Sequence, residues 1–329
     1  MGIQSLTKLI TQHSPDSINH VNLFTLKGKR VAIDTSIFIY KCLINIRYKG
    51  DYLRNSDGKI MSHIYGIFNK AVLLKSYGIE PIFIFDGKPP DEKSHVLELR
   101  NKKVKESKEK MNSTSNLEEK MKYEKSTVRI TKEYIKDLEE LFNKMGIDYI
   151  HANGEAEAYA AELCRISYVD AVMSEDMDTL VYDCPMLIRA CIDKKCKKKD
   201  MVTVFNFENI KKDLDMDIQT FTDLCILCGC DYCPTIPKIG YNRAYNNIQK
   251  YHTIESMIES NKFDVTEEFK NKYIMARKLF NIFRGNIDID NLPIKQSIYN
   301  ESELERYLLE YCSMSKMKVN TALNKIRPI

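Results

Sequence analysis

Apolar residues in this chain gather into short unbroken runs that stop at carboxylates. Ile82, Phe83, Ile84 and Phe85 form one such run, closed by Asp86-Gly87-Lys88-Pro89-Pro90. Four β-branched and aromatic residues without alternation predict a strand buried on both faces, as inside a parallel sheet. The glycine and prolines then forbid its continuation. Arg30-Val31-Ala32-Ile33 ends the same way at Asp34, and Ala171-Val172-Met173 runs into Ser174-Glu175-Asp176-Met177-Asp178. Further strands are predicted at 146–150, 185–192 and 201–205.

Between these runs the apolar spacing turns helical. Leu6, Leu9 and Ile10 mark a helix over 2–12. Ile37, Ile39, Tyr40, Leu43 and Ile44 mark another, with Thr35 or Ser36 as its cap. Residues 63–77 and 154–166 carry two more. Strands alternating with helices through Phe205 predict an α/β fold with a largely parallel central sheet. After Phe207 the strand signal fades, and helices are predicted at 218–227, 242–251, 254–260, 267–283, 301–311 and 316–325.

The stretch from Lys93 to Met145 is helical and highly charged, and 101–125 holds no aliphatic cluster large enough for a core. A solvated helical hairpin accounts for that pattern. Lysines and arginines outnumber acids between Lys88 and Lys136, although the 329-residue chain carries only +4 overall. That local excess favours a basic arm bordering a site, with Asn112 to Asn116 as its tip.

Composition otherwise excludes rather than identifies. Apolar content of 43% and charged content of 29% are ordinary for a globular protein. No segment reads as membrane-spanning, because the Val31 to Ile46 stretch is broken by Asp34, Thr35, Ser36 and Lys41. No secretory leader is visible, so the expectation is an intracellular protein with reduced cysteines. Cys225, Cys228, Cys230 and Cys233 spell C-x₂-C-x-C-x₂-C, which raises a zinc or iron–sulfur site. Cys225 belongs to an apolar helix and no histidine accompanies the four, so small core residues around Gly229 are the simpler reading.

The carboxylates are the stronger signal. Asp34, Asp86, Asp176 and Asp178 follow strands, Glu155 and Glu157 open a helix, and Asp231 follows another. In open α/β sheets the carboxyl ends of the strands are where ligands bind. Two ionised carboxylates ~5 Å apart repel by about 3 kcal/mol at an effective dielectric of ~20. A convergent set must therefore take up protons or bind cations, and oxygen-only ligands suit Mg²⁺ or Mn²⁺.

These motifs together resemble the flap endonuclease family of structure-specific 5′ nucleases. The resemblance is carried by Met1-Gly2-Ile3-Gln4, Val31-Ala32-Ile33-Asp34, Phe85-Asp86-Gly87-Lys88-Pro89-Pro90 and Glu155-Ala156-Glu157-Ala158. Glu175-Asp176-Met177-Asp178, Asp223-Leu224-Cys225-Ile226-Leu227 and Gly229-Cys230-Asp231-Tyr232-Cys233 complete it. It implies a PIN-like nuclease fold divided as 1–92 (N-terminal nuclease region), 93–136 (helical arch), 137–233 (internal nuclease region) and 234–329 (helical DNA-binding region). It implies two Mg²⁺ ions, replaceable by Mn²⁺, with Asp34, Asp86, Glu155 and Glu157 serving the first and Asp176, Asp178 and Asp231 the second.

Lys93 and Arg100 match basic residues that reach the scissile phosphate. Tyr40 matches an aromatic that stacks on a base, and Arg47, Lys70, Glu155, Gly229 and Asp231 match DNA-contacting positions. Thr235-Ile236-Pro237-Lys238-Ile239-Gly240 resembles a helix–two-turn–helix, implying K⁺ held at Thr235, Ile236 and Ile239 beside duplex DNA. The implied protein is a monomer that cleaves branched DNA with 5′ flaps, with associated 5′-3′ exonuclease activity, in replication, repair or recombination. Its siblings, 5′ exonucleases and junction-resolving nucleases, share the carboxylates, and a non-catalytic DNA-binding scaffold would have lost some of them. All seven are present. The chain departs from many relatives in having no sliding-clamp docking peptide and Asn55-Ser56-Asp57-Gly58-Lys59 in place of an acidic run. A nucleus or a viral replication compartment is the expected location.

Overall fold

The computed structural model describes residues 2–89, 91–114, 116–196, 198–282 and 284–327. Met1, Pro90, Ser115, Lys197, Phe283 and Ile329, which fall within the motifs and elements above, lie outside the described residues. The fold is α/β with a largely parallel sheet, and the chain forms two compact units, each discontinuous in sequence. One comprises Met1–Thr25 and Glu157–Leu292, the other Leu26–Ala156 and Pro293–Ile329.

In the second unit, strand Arg30–Asp34 pairs in parallel with Glu80–Phe85, which pairs in parallel with Tyr149–His151. A two-residue strand, Ile294–Lys295, adds antiparallel to Tyr149–His151. Val31, Ala32, Ile33 and Ile82 to Phe85 are all buried, as the unalternated pattern requires. The helix Lys132–Met145 seats Phe142 against them, its ring 4.3 Å from that of Phe83. Asp34 sits opposite Ile84 in the parallel register, so Asp86 emerges from the same sheet edge two residues later.

In the first unit the strand order is Ile18–Asn22, Met201–Asn206, Met186–Ala190, Ala171–Met173. Only the last pair is parallel. Met201–Asn206 reverses because the connection from Ala190 is too short to hold a crossover helix.

Local chemistry moved several predicted boundaries. The first helix is Leu6–His13 rather than 2–12, since Ser5 adopts a left-handed conformation with φ 57°. The cap of helix Thr35–Asn45 is neither Thr35 nor Ser36. Asp34 takes that position and its Oδ1 accepts the Ile37 N–H. Gly146, predicted to start a strand, instead ends Lys132–Met145 in a left-handed turn (φ 59°), and the strand begins at Tyr149. Strand 185–192 is trimmed to Met186–Ala190, and helix 267–283 ends at Phe280. Helix 301–311 becomes Glu301–Arg306 followed by a π-helical turn over Tyr307–Tyr311. Strands Ile18–Asn22 and Ile294–Lys295 and helix Phe207–Leu214 escaped the sequence reading. The charged stretch forms helices Ser94–Ser113 and Leu117–Thr127, and no described side chain from 94 to 127 is buried.

Candidate metal and nucleic-acid sites

Strand Ala171–Met173 delivers the chain into a tight turn that ends in the four-residue helix Asp178–Val181. The Ser174 hydroxyl accepts the Asp176 N–H, and Asp176 Oδ1 accepts the Asp178 N–H at 3.2 Å. Glu157, in the first turn of helix Ala156–Arg165, completes the group. Carboxylate oxygens of Glu157, Asp176 and Asp178 lie within 4.8 Å of one another. Asp176 and Asp178 are buried, at 8% and 4% exposure. Three acidic groups at that spacing repel by about 3 kcal/mol per pair when ionised, and the set is all oxygen. It fits a divalent hard cation.

Among the neighbours of this cluster, Gly2, Ile3, Gln4, Tyr182 and Tyr232 were not singled out as site residues by sequence, whereas Gly229 was. The Ile3 N–H donates to Asp178 Oδ1 at 2.7 Å, and Gln4 N–H donates to the Gly229 carbonyl at 3.0 Å. Gly2 has φ +87°, and a β-carbon there would run into Asp176 Oδ1. Gly229 has φ +108°, where a β-carbon would meet Thr235 Cγ2 at 2.7 Å. The buried hydroxyls of Tyr182 and Tyr232 lie 3.4 Å apart. Burial pushes both phenols well up, and the charges of Glu157 and Asp178 add to the effect. The local contexts Tyr182-Asp183-Cys184 and Asp231-Tyr232-Cys233 gave no sequence signal for that pair.

Asp231 lies in the turn after helix Ile218–Cys228, half-buried, outside the close three-carboxylate group. Among the described residues no three cysteine sulfurs gather as a metal site. Burial raises the thiols of Cys228, Cys230 and Cys233 to about 12.

The other unit carries its own acidic edge. Asp34 caps its helix, and Asp86 Oδ1 accepts the Ala156 N–H at 2.8 Å. The Gly87 N–H donates to the Gly154 carbonyl at 2.7 Å, and a β-carbon on Gly87 would strike the Ala152 carbonyl. That contact holds the turn after the Glu80–Phe85 strand against the loop bearing Glu155. Lys93, buried at 7% exposure, forms an ion pair with Glu155. Lys93 ends a short 3₁₀ turn, and Arg100 lies in the helix that follows.

Tyr40 is half-buried on helix Thr35–Asn45. Lys70 Nζ stands 5.0 Å, and Lys41 Nζ 5.9 Å, from the Phe38 ring centroid, a lysine–aromatic group the sequence reading missed at Phe38. Arg47 pairs with Glu124. Thr235 is exposed, Ile236 and Ile239 are buried, and the Ile236 carbonyl accepts the Ile239 N–H in the turn before helix Tyr241–Tyr251.

Carboxylates at the strand ends of an α/β sheet, with a buried Lys93–Glu155 pair in the loop before a helix, are an arrangement that suits hydrolysis through an acidic cluster. The model of the XPG N-terminal domain matches residues 1–107, and that of the XPG I-region matches 146–231. Flap endonuclease 1 of Debaryomyces hansenii is 34% identical over 99% of this chain and 88% of its own length. Flap endonuclease 1 of Saccharomyces cerevisiae is 35% identical over 99% and 87%. Flap endonuclease-1 from Methanococcus jannaschii superposes with a TM-score of 0.68 at 25% identity, covering 94% of this chain and 95% of that one. The catalytic core of Rad2 in complex with DNA substrate shares the fold, with a TM-score of 0.73 at 22% identity over 99% and 100%. The chain belongs to the flap endonuclease family of structure-specific 5′ nucleases.

Proposed function

We propose that this protein hydrolyses DNA phosphodiesters beside 5′ flaps, with Mg²⁺ as its working ion and Mn²⁺ as a substitute. The observation that supports this most is the Glu157–Asp176–Asp178 group, whose oxygens lie within 4.8 Å of one another. Asp176, Asp178 and Asp231 would hold one ion, and Asp34, Asp86, Glu155 and Glu157 the other. When bound, such ions activate water for attack on phosphorus and stabilise the leaving oxygen. The chain's own part is to orient these oxygens. Ile3 fixes Asp178, the Asp178 N–H fixes Asp176, and the Ala156 N–H fixes Asp86.

Lys93 supplies a cation beside Glu155, suited to the charge that develops on the phosphate, and Arg100 extends it along the arch. Tyr40, Arg47, Lys70 and Gly229 would contact the DNA near the junction. The turn at Thr235, Ile236 and Ile239 would carry K⁺ against the duplex phosphates. Residues 93–136 serve as the arch and 234–329 as the duplex-binding region of a monomeric enzyme. Its workplace would be a nucleus or a viral replication compartment, and among the described residues no helix is long and apolar enough to cross a membrane.

Mg²⁺-dependent cleavage of an end-labelled double-flap substrate, mapped to the nucleotide, tests the reading. The expected products carry a 5′-phosphate and a 3′-hydroxyl next to the junction. Preference for a four-way junction or a gapped duplex over the flap would reassign the chain to a sibling activity.

A further inference from the structure

Tyr182 and Tyr232 are buried phenols that the proposed chemistry does not use. Tyr182 closes the helix Asp178–Val181, its N–H donating to the Asp178 carbonyl at 3.3 Å. Tyr232 follows Asp231, in the turn closed by an isolated bridge between Cys230 and Cys233. Both rings pack on the buried Phe280 ring, with centroids 5.7 and 5.2 Å from it. Phenylalanine would fill the same space, and each buried hydroxyl costs free energy unless it is hydrogen-bonded. The two hydroxyls lie 3.4 Å apart. A hydroxyl pair normally stands at about 2.7–2.8 Å, and only one of the two hydrogens can serve the contact between them. At least one hydrogen is therefore directed at another acceptor. The charges of Glu157 and Asp178 act on both phenols, and that of Asp231 acts on Tyr232 as well. A hydroxyl bonds an ionised carboxylate more strongly than it bonds a neutral oxygen.

We propose that Tyr182 and Tyr232 are positioning residues of the acidic cluster, directing a hydroxyl hydrogen at its carboxylates and so fixing the oxygens offered to the cation. The proposal rests on the nuclease reading above and adds to it the groups that hold the ligands in place. Glu157, Asp176 and Asp178 have oxygens within 4.8 Å of one another. A neutral donor steadies such a group without supplying a charge that competes with the cation, as a lysine would. Tyr182 belongs to the segment that carries Asp176 and Asp178, and Tyr232 to the turn that carries Asp231. The hydroxyl pair therefore links the two stretches of chain, 50 positions apart, that supply the proposed ligands of one ion.

The test uses the full chain and Mn²⁺, with bound and free ion counted by electron paramagnetic resonance. Tyr182→Phe and Tyr232→Phe each keep the ring against Phe280 and remove one hydroxyl. Each should weaken Mn²⁺ binding by about tenfold or more, the range for losing a group that orients a metal ligand. Tyr273→Phe is the control, since that buried phenol donates to Glu255 at 3.1 Å instead, and its Mn²⁺ binding should equal that of the wild type. Flap cleavage by the two variants should fall at low Mn²⁺ and recover at high Mn²⁺, with duplex affinity in EDTA unchanged. Wild-type Mn²⁺ binding in both variants, or an equal loss in Tyr273→Phe, would reduce the pair to packing. A wild type that cuts the flap while the variants bind Mn²⁺ as it does sinks only the tyrosine role. Variants that lose Mn²⁺ while the wild type leaves the flap uncut sink only the nuclease reading.

Discussion

The Ile3 N–H donates a 2.7 Å hydrogen bond to Asp178 Oδ1, joining the start of the chain to a carboxylate 175 positions away. Gly2 makes that contact possible, because its φ of +87° and missing β-carbon let the backbone pass Asp176. Gly2→Ala must therefore push the first residues away or displace Asp176. The expected result is a loss of roughly a hundredfold in single-turnover cleavage, the cost of misplacing a catalytic group by about 1 Å. Thermal unfolding should change little. A rate within twofold of wild type would mean that the first residues do not position the cluster.

Asp176→Asn should separate the carboxylate's roles. The amide keeps an oxygen for the Asp178 N–H but removes one charge from the Glu157–Asp176–Asp178 group. Relief of that repulsion should stabilise the protein in EDTA by about 1–3 kcal/mol, read by denaturant unfolding. Addition of Mn²⁺ should raise the stability of the wild type and do so far less for the variant. A variant less stable in EDTA would show that the group is not repulsive in the free protein.

Lys93 is 7% exposed and paired with Glu155, and the role proposed for it is stabilisation of charge on the phosphate. Lys93→Ala should lower the chemical step by about 10²–10³, the range for removing one preorganised charge stabiliser. Flap-duplex affinity should fall only a few-fold. A loss confined to affinity would make Lys93 a binding residue.

The strands were legible because a doubly buried strand has no alternation, and Ile82 to Phe85 show none. Strand-end carboxylates were legible for the same reason, since Asp34 and Asp86 interrupt such runs. What escaped was set by backbone and distance. Ile18–Asn22 alternates weakly because it is an antiparallel edge strand with a mixed burial pattern, and Ile294–Lys295 is too short to leave a pattern. Asp34 as a helix cap was hidden by two better-looking candidates beside it. The Ile3–Asp178 bond and the Tyr182–Tyr232 pair join distant segments, and a single sequence carries no signal for such pairing.

Cys225, Cys228, Cys230 and Cys233 should behave as core residues. Burial holds three of these thiols near 12 and drives Cys225 up as well. At pH 8 their thiolate fraction is about one in ten thousand. A thiol reagent should modify them only after unfolding, and a zinc chelator should leave the unfolding midpoint unchanged. Rapid release of zinc on thiol modification would restore the metal-site reading.

Glu162 should set part of the acid limit of the fold. It is 2% exposed, and burial pushes its pKa up. The Arg165 hydrogen bonds and the Gly285 N–H outweigh burial and hold it below its ordinary value of 4.5. A carboxylate with a depressed folded pKa contributes stability that is fully present above the unfolded value. That contribution fades as pH falls from about 4.5 through the folded pKa, because the unfolded chain then binds the proton more readily. Glu162→Gln keeps an acceptor for Gly285 but leaves Arg165 without its charge partner. It should cost about 1–3 kcal/mol at pH 7, and the gap from wild type should narrow as pH drops below about 4.5. Urea unfolding midpoints between pH 3 and pH 7 measure both. A gap that stays constant across that window would remove Glu162 from the titrating groups that limit the fold in acid.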